Sequence, residues 1–89
     1  MSALKVTVGT TWTLIADWTG LFVKMVTISR ESEQELQIIY GPPVPAESAT
    51  PEWIVTKSFI GIRSGHLPSG GKVYARMMTE AEECVVNYD

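Results

Sequence analysis

The sequence predicts an all-β chain, an antiparallel β-sandwich or small barrel of about seven short strands. Three observations point there. Apolar and polar residues alternate with a period of two through most of the chain, the pattern of strands with one buried face. β-branched valine, threonine and isoleucine fill the alternating segments. Turn residues separate those segments at intervals of about 8–15 residues, and helix signals are nearly absent.

The first strand is residues 4–8, "LKVTV", and Gly9 permits the bend after it. Residues 11–17, "TWTLIAD", form the second. Strict alternation puts Trp12, Leu14 and Ala16 on one face and Thr11, Thr13, Ile15 and Asp17 on the other. "DWTG" is a turn, with Asp17 able to bond the following backbone and Gly20 able to take positive φ. The third strand spans residues 21–30, "LFVKMVTISR". From Val23 onward, Val23, Met25, Thr27 and Ser29 alternate with Lys24, Val26, Ile28 and Arg30. Residues 31–35, "ESEQE", read as a hairpin tip, from which residues 36–40, "LQIIY", return as the fourth strand.

Residues 41–52, "GPPVPAESATPE", break the pattern, because they carry four of the five prolines. Proline lacks the N–H a central strand needs, so this segment is a surface loop. Its length points to function or to contact with another chain. Residues 53–59, "WIVTKSF", are the fifth strand, 72–78, "KVYARMM", the sixth, and 84–88, "CVVNY", the seventh. "TEAEE" between the last two is a helical turn or a hairpin loop.

At 89 residues the chain makes one domain, residues 1–89. A chain of this size buries only about 60–65% of its unfolded surface, which leaves little material for a deep cleft. The net charge of −3 argues against nucleic acid, whose affinity rests on Lys and Arg neutralising phosphates. The single cysteine, Cys84, excludes an intrachain disulfide and a thiolate zinc site, and its apolar flank makes it a small buried residue. No signal-peptide core and no membrane-length apolar run are seen, so a soluble protein made in a reducing cytoplasm is expected.

The stretch "SGHLPSGGKVYARM", residues 64–77, has the look of a phosphate loop. That loop requires G-x-x-x-x-G-K followed by Ser or Thr, ahead of a helix. Counting back from Gly71-Lys72, the first glycine position holds His66, and the residue after Lys72 is Val73. The following residues alternate as a strand. Pro68, Gly70 and Gly71 therefore read as a turn. His66, the only histidine, has Ser64 and Ser69 nearby but no strained nucleophile elbow. Glu31, Glu33 and Glu35, and Glu80, Glu82 and Glu83, lack the Asp/Asn/Gly pattern of a calcium loop and read as solvated tips. No catalytic residue, cofactor or metal ligand is assigned.

Three tryptophans remain. Trp12, in a strand, reads as core. Trp18 in its turn and Trp53 behind the proline loop fold back over the core, anchor a partner, or stack on a sugar.

Taken in order, "VTVGTTWTLIADWTG", "VTISRESEQELQIIYGPPVPAES" and "LPSGGKVYARMMTEAEECVVN" resemble a pattern of small tailed-bacteriophage virion proteins. The resemblance covers most of the chain. Trp18 stands where a small residue is commoner, and the last connection is unusually acidic. The resemblance implies a β-sandwich subunit of the particle, of the decoration or cement, head-fibre or baseplate type, often trimeric and without chemistry of its own. The expectation is a capsid decoration protein in the virion. Its partners are other virion proteins, the major capsid protein or a tail component, and further copies of itself. Nucleic acid and membrane are not among them. A tail or baseplate module and a carbohydrate-binding β-sandwich are the alternatives. The expected interface is Trp18, Pro42, Pro43, Val44, Pro45 and Trp53.

Overall fold

The computed structural model describes residues 2–17, 25–41, 43–63 and 71–88. Among them are eight strands and no helix: β1 (Ser2–Val8), β2 (Thr13–Asp17), β3 (Met25–Ser29), β4 (Leu36–Gly41), β5 (Trp53–Val55), β6 (Phe59–Arg63), β7 (Lys72–Met77) and β8 (Glu82–Tyr88). They form two four-stranded sheets, ordered β1-β8-β3-β6 and β2-β7-β4-β5. Every neighbouring pair is antiparallel. The two sheets face each other as a β-sandwich.

The alternation seen in the sequence fills the space between them. Val26 and Ile28 of β3, Ile60 and Ile62 of β6, and Cys84 and Val86 of β8 point in from one sheet. Leu36 and Ile38 of β4 and Val73, Ala75 and Met77 of β7 meet them from the other. Burying such side chains stabilises the fold by about 1.5–3 kcal/mol each, which is the main force holding the sheets together.

Four expectations are corrected. "TEAEE" is neither a helical turn nor a hairpin loop, because β7 and β8 belong to different sheets and β8 already begins at Glu82. The other three concern the strands and connections before it. The first is strict alternation in β2. Leu14 pairs with Tyr74 but Ala16 pairs with Val73, so Ile15 is an extra residue in the ladder. A bulge of this kind lets consecutive side chains turn the same way. Ile15 and Ala16 are both buried while Leu14 is exposed. The second is the hairpin across residues 31–35. β3 and β4 belong to different sheets, so this connection spans the sandwich. The third is the continuous strand at residues 53–59. It is two strands: β5 ends at Val55, the chain crosses over through exposed Thr56, Lys57 and Ser58, and β6 begins at Phe59 in the opposite sheet.

The crossings at residues 31–35 and 56–58 are both fixed by one arginine. Arg30 continues the inward register of Val26 and Ile28, and its side chain is fully buried. Its Nε donates to the Lys57 carbonyl at 3.0 Å, Nη1 to the Gln34 carbonyl at 2.7 Å and Nη2 to the Val55 carbonyl at 3.3 Å. The Glu82 carboxylate lies 3.7 Å from Nη1 and itself accepts from the Ser32 amide at 2.8 Å and the Ser32 hydroxyl at 2.6 Å. A buried guanidinium needs such partners on every face, because desolvating it alone is prohibitive.

Candidate interaction surface

Residues 43–52 run over the outside of the β2-β7-β4-β5 sheet. That outer face carries a second, smaller apolar cluster, Trp12, Ile39 and Tyr74, with Ala49 of the loop packed on it. Trp12 is 9% exposed, so it is buried as expected, but beneath the loop and outside the main core. Its indole Nε1 donates to the Ala46 carbonyl at 3.0 Å. The Arg76 guanidinium stacks over the indole, 4.4 Å from the ring centroid, and Nη1 donates to the Glu47 carbonyl at 2.9 Å. Within the loop, the Ala49 amide donates to the Ala46 carbonyl at 2.9 Å and closes a turn. The Glu52 amide then donates to the Ile38 carbonyl at 2.9 Å and leads the chain into β5.

Gly41, where the loop leaves β4, is dictated by this packing. A Cβ there would lie 2.7 Å from Tyr74 Cε2 and 3.1 Å from the Pro43 carbonyl oxygen, so only glycine fits without displacing the ring.

The loop is thus tied down at its middle, and its first residues project. Pro43 is exposed, Val44 is 69% exposed and Pro45 is half-buried. Trp53 pairs with inward-facing Ile38, which places the indole on the inner side of the sheet at its open margin, 39% exposed. Ile54, paired with Gln37, faces outward and is 53% exposed. Phe59 follows at 61%, on β6 of the opposite sheet. Pro43, Val44, Pro45 and Trp53 of the expected interface therefore belong to one loop-and-edge region. Trp18 and Pro42 lie outside the described residues, as do His66 and the turn at residues 64–70. Ile54 and Phe59 were not singled out from the sequence, because alternation alone does not reveal which strands stand at a sheet edge.

Two further charged groups, Lys72 and Glu82, are tied into the sandwich. Lys72 opens a strand, as expected, and its Nζ lies 4.0 Å from Asp17, its register partner on β2. Burial alone would raise the Glu82 carboxyl, but hydrogen bonds from Ser32 and Gln34 and the Arg30 charge hold it below its ordinary value. Burial, with Glu82 nearby, pushes the Cys84 thiol up to about 11, in keeping with a small core residue. Burial and the neighbouring Glu52 carboxylate raise Tyr40. A shallow hollow lined by Ser29, Arg30, Glu31, Glu82, Glu83 and Val85 opens beside the arginine network. Among the described residues, no three His, Cys, Asp or Glu side chains gather where they could hold a metal ion. No family model matches the sequence, and comparison with curated proteins and with solved structures gives no match.

Proposed function

We propose that this chain is a structural, non-catalytic virion subunit of a tailed phage, a capsid decoration protein that bridges neighbouring capsid subunits. The observation that carries the reading is the exposure of three large apolar side chains, Val44 on a loop pinned at Ala46 and Glu47, and Trp53 and Ile54 on the two faces of the edge strand β5 that the loop enters. Exposed apolar groups on a rigid support fit a docking surface, since little freedom is lost on binding. Tryptophan is among the residues enriched as interface anchors. The resemblance of the three sequence segments to small virion proteins supplies the setting.

The test is a phage lacking this protein. Its particles are expected to assemble tails and adsorb normally but to lose resistance to heat and osmotic shock. Adding back the purified chain restores resistance, and the triple substitution Val44→Ser, Trp53→Ala, Ile54→Ser does not, although it remains folded. Intact heads that fail to adsorb would replace this reading with a tail or baseplate role. The exposed indole of Trp53 favours one second reading, a sugar-stacking platform. Glycan binding lost in Trp53→Ala would establish it.

A further inference from the structure

We propose that β6 pairs antiparallel with the β6 strand of a second copy of this chain, across a two-fold axis at Gly61. The inference goes beyond the virion reading and does not rest on it. β6 is the outermost strand of its sheet, bonded to β3 alone among the described residues. In an antiparallel ladder, hydrogen-bonded and non-hydrogen-bonded pairs alternate. The Arg30 amide donates to the Ser58 carbonyl at 2.9 Å, and these two residues continue the register that pairs Ser29 with Phe59. Counting on from there, Ile28 with Ile60 and Val26 with Ile62 are the bonded pairs. The amides and carbonyls of Phe59, Gly61 and Arg63 therefore turn away from β3, toward the open edge.

The strand reads Phe-Ile-Gly-Ile-Arg and is nearly a palindrome about Gly61. Set antiparallel against itself, it puts Gly61 opposite the partner's Gly61 and Phe59 opposite the partner's Arg63. Both combinations fall on residues whose backbone groups face the edge, so every such pair is of the bonded kind. Phe59 and Arg63 are both exposed on the outer face, where an aromatic ring can lie along a guanidinium. A charged residue on an edge strand normally discourages pairing. In this register Arg63 meets a phenyl ring, and in a parallel arrangement it meets another Arg63, so the edge accepts its own copy in one orientation. The result is a continuous eight-stranded sheet, β1-β8-β3-β6 followed by its symmetry mate.

The experiment is sedimentation and light scattering of the whole chain across concentrations up to about 100 μM. A species of twice the 9.8 kDa chain mass is expected. Phe59→Lys sets like charges opposite each other and should weaken the dimer by more than about tenfold. Adding Arg63→Glu to Phe59→Lys restores an opposite-charge pair and should restore the dimer. Gly61→Pro removes a donor on the open edge while leaving the bonds to β3 intact, so it should also give monomer. Circular dichroism and cooperative melting verify that each variant is folded. A monomer at every concentration, a trimer, or a dimer indifferent to Phe59→Lys and Gly61→Pro would overturn the proposal. None of these outcomes touches the particle-stability test of the virion reading.

Discussion

Arg30 and Arg76 hold loops to sheets in two places, one inside the sandwich and one outside it. Arg30 is enclosed, and its guanidinium gathers the carbonyls of Gln34, Val55 and Lys57 together with the Glu82 carboxylate. Arg76 lies on the outer face, stacked on Trp12, with one end reaching the loop at Glu47 and the other bonded to Gln37 Oε1 at 2.8 Å. The chemistry is the same, a planar donor fork meeting carbonyl oxygens. The surroundings differ, and they decide the energetics. Where water cannot replace a lost donor, each abandoned carbonyl bears its full desolvation cost; where water can, little changes.

Arg30→Ala should therefore be the most damaging of the charged-residue changes. It strands three carbonyls and a partly buried carboxylate, and the loss of one partner from a buried pair costs about 3–5 kcal/mol. For a domain of this size the melting midpoint should fall by about 12 °C or more. Thermal unfolding followed by circular dichroism measures it. Arg30→Lys should recover only part of the loss, because one ammonium cannot span carbonyls on separate connections. A midpoint within a few degrees of the parent would mean that the network is not what holds the crossings.

Glu82 sharpens the same point through pH. Its carboxyl is held below the ordinary 4.5, so the unfolded chain binds the proton more readily than the folded one. The stabilisation is then complete above about 4.5 and disappears as pH falls through the lower native value. Glu82→Gln should cost about 1.5–3 kcal/mol at neutral pH, where the charge-assisted bonds to Ser32 are weakened. Melts repeated from pH 6 down to about 3 should show the parent losing more stability than the variant. Parallel curves would remove Glu82 from the account.

How much of this was legible beforehand differs between the two arginines. Arg30 shares the parity of Val26 and Ile28, so the alternation set it on their face, and the structure shows that face to be the buried one. Its acidic partner, fifty-two positions on, could not be found from spacing, because only the crossing of the sheets brings Glu82 there. The same crossing was hidden at residues 31–35 and 56–58. The polar segment at 31–35 suits a hairpin and an inter-sheet connection equally well, residues 56–58 continue the alternation of a single strand, and alternation reports which face a residue takes but not which sheet it joins. Alternation through "KVYARMM" sets Tyr74 and Arg76 opposite Val73, Ala75 and Met77, as the structure has them. That their face is covered by the proline loop depends on Trp12, whose strand reading gave no hint that it lies outside the main core. Of the expected interface, Pro43 and Val44 were legible as exposed because a proline-rich segment cannot enter a central strand, whereas the exposure of Trp53 was one of several alternatives until the strand order placed it at a sheet edge. Ile54 and Phe59 required the strand order.

Arg76→Ala tests the outer arrangement and should cost less, about 1–2 kcal/mol, from lost stacking on Trp12 and lost bonds that water partly replaces. Limited proteolysis gives a more local measure. With Arg76 gone, cleavage within residues 43–52 should rise while the global midpoint moves only a few degrees. A loss as large as that of Arg30→Ala would show that the loop is an integral part of the core.

Glu47→Ala is the smallest expected change and separates the two attachments Arg76 makes to the loop. The Glu47 carboxylate lies 3.7 Å from Nη1 and its side chain is well exposed, so the ion pair is screened and worth under about 0.5 kcal/mol. The Glu47 carbonyl, at 2.9 Å, is a backbone acceptor that alanine retains. The midpoint and the proteolysis pattern should both stay close to those of the parent, and added salt should leave them unchanged. If Glu47→Ala instead reproduces the loop cleavage seen in Arg76→Ala, the guanidinium holds the loop by charge, and the contrast drawn between the two arginines fails at its outer end.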